Sequence, residues 1–111
     1  MIESHTAVLD RDVTWTGEIT TEPYEAGWAT EALFFVRVLD SGGADAATVP
    51  VHVEISPDGL HWTRHDAVLS LGTAPGVYAA PVTHFGNWLR LSAAVPADVH
   101  PRVIVYLALK G

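Results

Sequence analysis

His52, Glu54, His61 and His65 crowd into one short stretch, V-H-V-E-I-S-P-D-G-L-H-W-T-R-H. Imidazole and carboxylate groups together can ligate zinc or pass protons. Spacing decides which of them meet. His61 and His65 are four apart, and on a strand that separates them by about 13 Å, too far to share one ion. A cross-strand set is the workable one: His52 opposite His65, about 5 Å apart at the β-carbons, with Glu54 diagonal to the pair. The competing reading is a solvated sheet face rich in histidine and threonine. Three ligands must converge to hold a metal and nothing in the spacing compels it, so no metal or other cofactor is assigned.

These side chains are positioned by the elements around them. Val51, Val53 and Ile55 alternate with His52, Glu54 and Ser56, the period of a strand with one face buried. Pro57-Asp58-Gly59 then reverses the chain: proline presets φ, aspartate bonds its own backbone, and glycine accepts a left-handed conformation. Two hairpin registers compete. Pairing Ser56 with Leu60 through a glycine bulge puts Trp62 and the valines on opposite faces. A loop of Pro57 to Leu60 sets Ser56 opposite His61 and Ile55 opposite Trp62, gathering the large apolar groups on one side, and is preferred on that ground. It leaves His52, Glu54, His61, Thr63 and His65 on the outer face.

Strand candidates recur along the chain. His5 to Leu9 is a short one ended by Asp10-Arg11-Asp12, and Val13, Trp15 and Ile19 alternate with polar partners around Gly17. Glu22 to Trp28 breaks the pattern and reads as a loop carrying Tyr24 and Trp28. Ala32 to Leu39 is apolar on both alternations, as expected of a central strand covered on both faces. Gly72 to Gly76 turns the chain, and in Val77 to Val82 the proline at position 81 favours a sheet edge. The stretch Trp88 to Ala93 and the closing run Arg102 to Leu109 complete about eight strands with no helix. The expected fold is all-β, one antiparallel β-sandwich or jelly roll filling residues 1 to 111 as a single domain.

Composition narrows the function. The 111 residues are 49% hydrophobic and only 17% charged, so the surface is either rich in Thr, Ser and Ala or partly covered by a partner. Thirteen acidic against six scattered basic residues give a net charge of −7, a field that disfavours nucleic acid and anionic lipid. No apolar run reaches membrane-span length and the first residues lack a leader pattern, so the cytoplasm, or assembly within it into a virion, is the expected location. The absence of cysteine excludes disulfides and thiolate chemistry. There is no G-x-S-x-G, H-E-x-x-H or phosphate-cradling loop, so the chain is not expected to be an enzyme. Asp10, Asp12, Asp40, Asp45 and Asp98 lack the alternating ligand series of a calcium loop, and turn formation explains them better.

The tryptophans divide by position. Trp15, Trp62 and Trp88 sit in strands and are expected in the core, whereas Trp28 lies with Tyr24 on a loop. The expected contact surface is Tyr24, Trp28, Phe85 and Trp88. Its partner would be a second copy of the chain or a larger protein assembly; the alternative is a glycan, with Trp28 or Trp88 stacking on a sugar ring.

The pattern V-x-V-E-I-S-P-D-G-L-H-W-T, then G-N-W-L-R-L and R-V-I-V-Y-L-A-L, resembles the second half of discoidin-like (F5/8 type C) jelly rolls over about Val51 to Leu109. That resemblance implies a non-catalytic binding module. The chain is shorter than that family and its ligand loops find no counterpart here, so Trp62, Arg90 and Leu91 speak only for the fold. The hairpin is also similar, more loosely, to small sandwich proteins of phages and bacteria that serve as virion or shell components.

Overall fold

The computed structural model describes residues 3–44 and 46–111. Nine strands form: β1 (Ser4–Thr14), β2 (Glu18–Thr20), β3 (Tyr24–Glu25), β4 (Glu31–Asp40), β5 (Thr48–Ser56), β6 (Thr63–Gly72), β7 (Gly76–Val82), β8 (Trp88–Ala94) and β9 (Arg102–Lys110). They make two antiparallel sheets, one in the order β1-β9-β4-β7 and the other β2-β8-β5-β6, with β3 as a short addition to β8. Apart from β3, the pairings nest: β5 with β6, β4 with β7, β2 with β8 and β1 with β9. A chain folded back on itself and wrapped into two sheets in this way is a jelly roll.

Period-two alternation builds the core. Phe34, Val36 and Val38 of β4 meet Val103, Val105, Leu107 and Leu109 of β9 on the inner face of one sheet. Val49, Val51 and Val53 of β5, with Leu89 and Leu91 of β8, face them from the other. The inward face expected for the closing strand is observed, and β7 with Pro81 lies at a sheet edge.

Three expectations are corrected. Asp10-Arg11-Asp12 does not end the first strand; β1 runs on to Thr14 through two register shifts, with Asp12 at φ 52°, and its charges sit on an edge where they discourage further pairing. Glu22 to Trp28 is not wholly loop, since Tyr24 and Glu25 pair with Leu89 and Trp88. The gap between β2 and β3 is closed by Thr21, whose backbone N–H donates to the Leu91 carbonyl at 3.0 Å while its Oγ1 accepts from the Leu91 N–H at 2.9 Å. Finally, β4 is central in its sheet but covered on one face only. Its other alternation, Leu33, Phe35 and Leu39, is half-buried, and among the described residues no second layer lies above it.

Candidate functional site

The β5–β6 hairpin adopts neither expected register. Ile55 pairs with Thr63 and Glu54 with Arg64, so the connection spans residues 56–62. Side chains hold this wider loop. Ser56 Oγ, in a buried residue, accepts from the N–H groups of Asp58 and Gly59 at 3.2 and 2.8 Å and donates to Asp58 Oδ1 at 3.0 Å. Asp58 Oδ1 in turn accepts from the N–H groups of Leu60 and His61 at 2.8 and 2.9 Å. Donation from the His61 backbone, then from its Nδ1 at 2.7 Å and from the Leu60 backbone, holds the Asp58 carboxyl well below the usual aspartate range. The S-P-D-G-x-x-W pattern therefore encodes a self-capped loop.

This loop carries Trp62 away from the core, contrary to the expectation. The indole lies half-buried on the outer face of the second sheet, where the Arg90 guanidinium stacks 4.1 Å from its ring centroid. Arg90 Nε donates to Glu54 Oε1 at 2.6 Å, so the Glu54 carboxylate is already paired. Trp88 also points outward, half-buried, and the loop backbone lies across it: Gly59 sits at φ +80°, and a β-carbon there would fall 3.1 Å from the indole. Only glycine fits both the conformation and the approach.

The set His52, Glu54 and His65 does not assemble. A register shift beyond Glu54 places Val68, not His65, opposite His52. His65 is engaged at both nitrogens, donating through Nε2 to the Thr83 carbonyl at 2.7 Å and accepting at Nδ1 from the Ala67 N–H at 3.0 Å. Among the described residues no group of three histidine, aspartate or glutamate side chains could hold a metal ion. His52 instead helps line a polar groove of about 500 Å³ with Glu54, Arg64, Arg90 and Ser92. Its Nδ1 is buried without a hydrogen-bond partner. Of the loop acids, Asp40 Oδ1 caps its own turn by accepting from the Gly42 N–H at 2.8 Å, and Asp12 pairs with Arg102 at 3.0 Å. Asp45 lies outside the described residues.

The four expected contact residues fall in different settings. Phe85 is 4% exposed and belongs to the core, because the turn before β8 folds its ring inward while His84 takes φ 57°. Tyr24 is half-buried and stacks on His5 with ring centroids 6.3 Å apart. Trp28 is open, at 43% exposed. Glu25 pairs with Trp88, and the Ala26 N–H donates to the Asn87 carbonyl at 2.5 Å, so the Tyr24–Trp28 segment and the start of β8 share one end of the sandwich. With Trp62 and Trp88 covered by Arg90 and Gly59, Trp28 keeps the most open indole.

One apolar surface was not singled out from sequence. It is the outer face of the β1-β9-β4-β7 sheet. Pairing lays its side chains in rows: Thr6, Ala108, Leu33 and Pro81 in one, Val8, Tyr106, Phe35 and Ala79 in the next, then Ile104, Arg37 and Val77. A depression of about 380 Å³ lies over Leu33, Phe35, Pro81 and Ala108, with Glu31 and Lys110 at its end. The double alternation of Ala32 to Leu39 was its signal, read as burial beneath a second layer.

Nested pairing and two packed sheets define the protein as a jelly-roll β-sandwich. No family model matches the chain, and no curated protein does. Among solved structures it is similar to the SPBc2 prophage-derived protein YomS, with a TM-score of 0.67 at 9% identity over 100% of this chain and 96% of that one. It is similar also to the PBSX exported protein XepA, with a TM-score of 0.68 at 12% identity over 95% of this chain; the chain spans only 36% of XepA. A third likeness, with a TM-score of 0.57 at 13% identity over 97% of this chain and 86% of the other, is to a structure described as Bacillus endospore appendages that form disulfide-linked pili. At these identities the likeness speaks for the fold. It agrees with the looser resemblance to small phage sandwich proteins and lends no support to the discoidin-like one. A hairpin capped by its own serine and aspartate serves any sandwich that needs a wide turn.

Proposed function

We propose that the 111 residues form one non-catalytic module that builds or decorates a larger protein assembly of the virion or shell kind. The observation that carries this reading is the outer face of the β1-β9-β4-β7 sheet, where Leu33, Phe35, Ile104 and Tyr106 stand with no layer of the described residues above them. A contiguous apolar face of that kind marks an interaction surface. Likeness to a prophage-derived protein and to a pilus-forming appendage supports the same direction. The chain has no cysteine, so its own contacts in such an assembly would be made by surfaces. Three polar groups of the hairpin are engaged in structure: Glu54 with Arg90, Asp58 with its own loop and His65 with Thr83. Tyr24 and Trp28 supply a second contact region at one end of the sandwich. A glycan platform would need an open aromatic face, and of the four tryptophans Trp28 is the exposed one.

The test is to follow the chain by antibody through gradient sedimentation of lysates from the cells that make it. Co-sedimentation with a large protein particle, retained through a salt wash, is the expected result. A chain found only among small soluble proteins, while particles assemble normally in its absence, would overturn the proposal.

A further inference from the structure

The outer face of β4 reads Glu31, Leu33, Phe35, Arg37: an anion, two large apolar groups and a cation, two residues apart in turn. The rows beside it run in register with it. On β9, Lys110, Ala108, Tyr106 and Ile104 lie next to Glu31, Leu33, Phe35 and Arg37 respectively. On β7, Pro81, Ala79 and Val77 lie next to Leu33, Phe35 and Arg37. Consider a two-fold axis lying in the plane of the face, perpendicular to the strands, and crossing β4 between Leu33 and Phe35. It stacks a second copy face to face with its strands antiparallel. Arg37 then falls over Glu31 of the copy, and the reverse, while Leu33 covers Phe35 and the large Tyr106 covers the small Ala108. Lys110 falls over Ile104 and stands beside the Glu31 that Arg37 of the copy covers, so each Glu31 is flanked by two cations. A self-complementary surface of this kind is what an isologous dimer requires.

From this match we infer that the face is a dimerisation surface whose occupant is a second copy of this chain, packed sheet on sheet. The inference rests on the proposed function and names the partner for its carrying surface. The other charge on these rows would not oppose it, since the acidic excess that gives the protein its charge of −7 lies elsewhere; Glu31 is the only acid among the positions named. The size also suffices. Four strands of about 4.8 Å spacing and a length of about 20 Å give a flat footprint near 400 Å² per copy. With side-chain relief the pair reaches on the order of 1,000 Å², the lower range for specific interfaces, so a concentration-dependent dimer of roughly micromolar affinity is expected. Aligned sheets of opposing sandwiches pack this way at about 10 Å.

The test is solution mass by light scattering on the whole chain, from about 1 μM to about 1 mM, a span that covers this affinity range. Wild type is expected to move from 11.9 kDa towards twice that mass. Arg37→Glu sets like charges over each other at both ends of the face and is expected to weaken the dimer by roughly tenfold or more. The swap Glu31→Arg with Arg37→Glu restores both pairs and is expected to return the affinity to within about threefold of wild type. Both positions are exposed, so the variants should fold, and circular dichroism checks that they do. A wild-type chain that stays monomeric at about 1 mM overturns the dimer, whether or not particle sedimentation succeeds. An oligomer indifferent to Arg37→Glu, or one weakened further by the swap, overturns this face while leaving association with an assembly to its own test.

Discussion

Truncating Trp62 to alanine distinguishes a core indole from a lid over Arg90. For a tryptophan sealed between the sheets, removal costs about 3–5 kcal/mol, and Trp15, at 2% exposed, is the internal example. Trp62 has a different environment: half-buried, outside the sandwich, with the Arg90 guanidinium 4.1 Å from its ring centroid. A partly desolvated cation–π contact contributes about 0.5–2 kcal/mol. The strand pairing of Glu54 with Arg90 and Arg64 does not depend on the ring, so the hairpin persists without it. The expected cost of Trp62→Ala is therefore about 1–2 kcal/mol, less than half that of Trp15→Ala. Urea unfolding followed by far-ultraviolet circular dichroism measures both without relying on indole fluorescence. A double-mutant cycle of Trp62→Ala with Arg90→Gln should show coupling of about 0.5–1.5 kcal/mol. Equal costs for the two tryptophans, together with no coupling to Arg90, would refute this assignment of the face.

Three further outcomes are expected. Gly59→Ala combines a left-handed conformation with a β-carbon 3.1 Å from the Trp88 indole, so it should destabilise by about 1–3 kcal/mol and perturb near-ultraviolet tryptophan dichroism; an unchanged unfolding midpoint would count against the close approach. Thr21→Val removes the acceptor for the buried Leu91 N–H and should cost about 1–3 kcal/mol, with Thr21→Ser losing less because it keeps the hydroxyl. The Asp58 carboxyl, held low by the His61 and Leu60 donors, lends stability that is fully present above the ordinary aspartate value of 3.8 and is lost as pH falls below it. Acid titration of folding should therefore show a component in that window which Asp58→Asn removes; an identical acid limb in the variant would contradict the capped loop.

The nesting of strands was invisible in sequence because it is a relation between distant segments, yet most strand positions were readable. Val103, Val105, Leu107 and Leu109 declared an inner face by alternation, and Pro81 declared an edge by its missing donor. Trp62 misled because face assignment presumes that alternation continues across the turn. Ser56 and Asp58 instead hold residues 56–62 in a loop, and past it the chain has lost its phase. The pairing of His52 with His65 failed for a related reason, since a register shift within a ladder leaves no mark in residue spacing. The double alternation in Ala32 to Leu39 was read correctly as apolar on both sides, but apolarity says only that a face is better covered, not that the same chain covers it. Phe85, expected in the contact surface, is instead buried beside a His84 whose positive φ is set by backbone context.

The nested pairing also sets the order in which this protein can come into being. Among the paired strands described, only β5 and β6 meet across a short connection; β1 waits for β9, whose residues Arg102 to Lys110 are synthesised after the other eight strands. Until then β1 has no neighbour and β4 lacks the partner on one of its sides. Strand edges therefore stay unpaired while the earlier strands wait, and closure of the whole sheet falls to β9. Such long-range closure is slow. A chain interrupted before β9 cannot complete the sheet whose outer face is proposed for docking, so unfinished copies would be kept out of an assembly by their own topology.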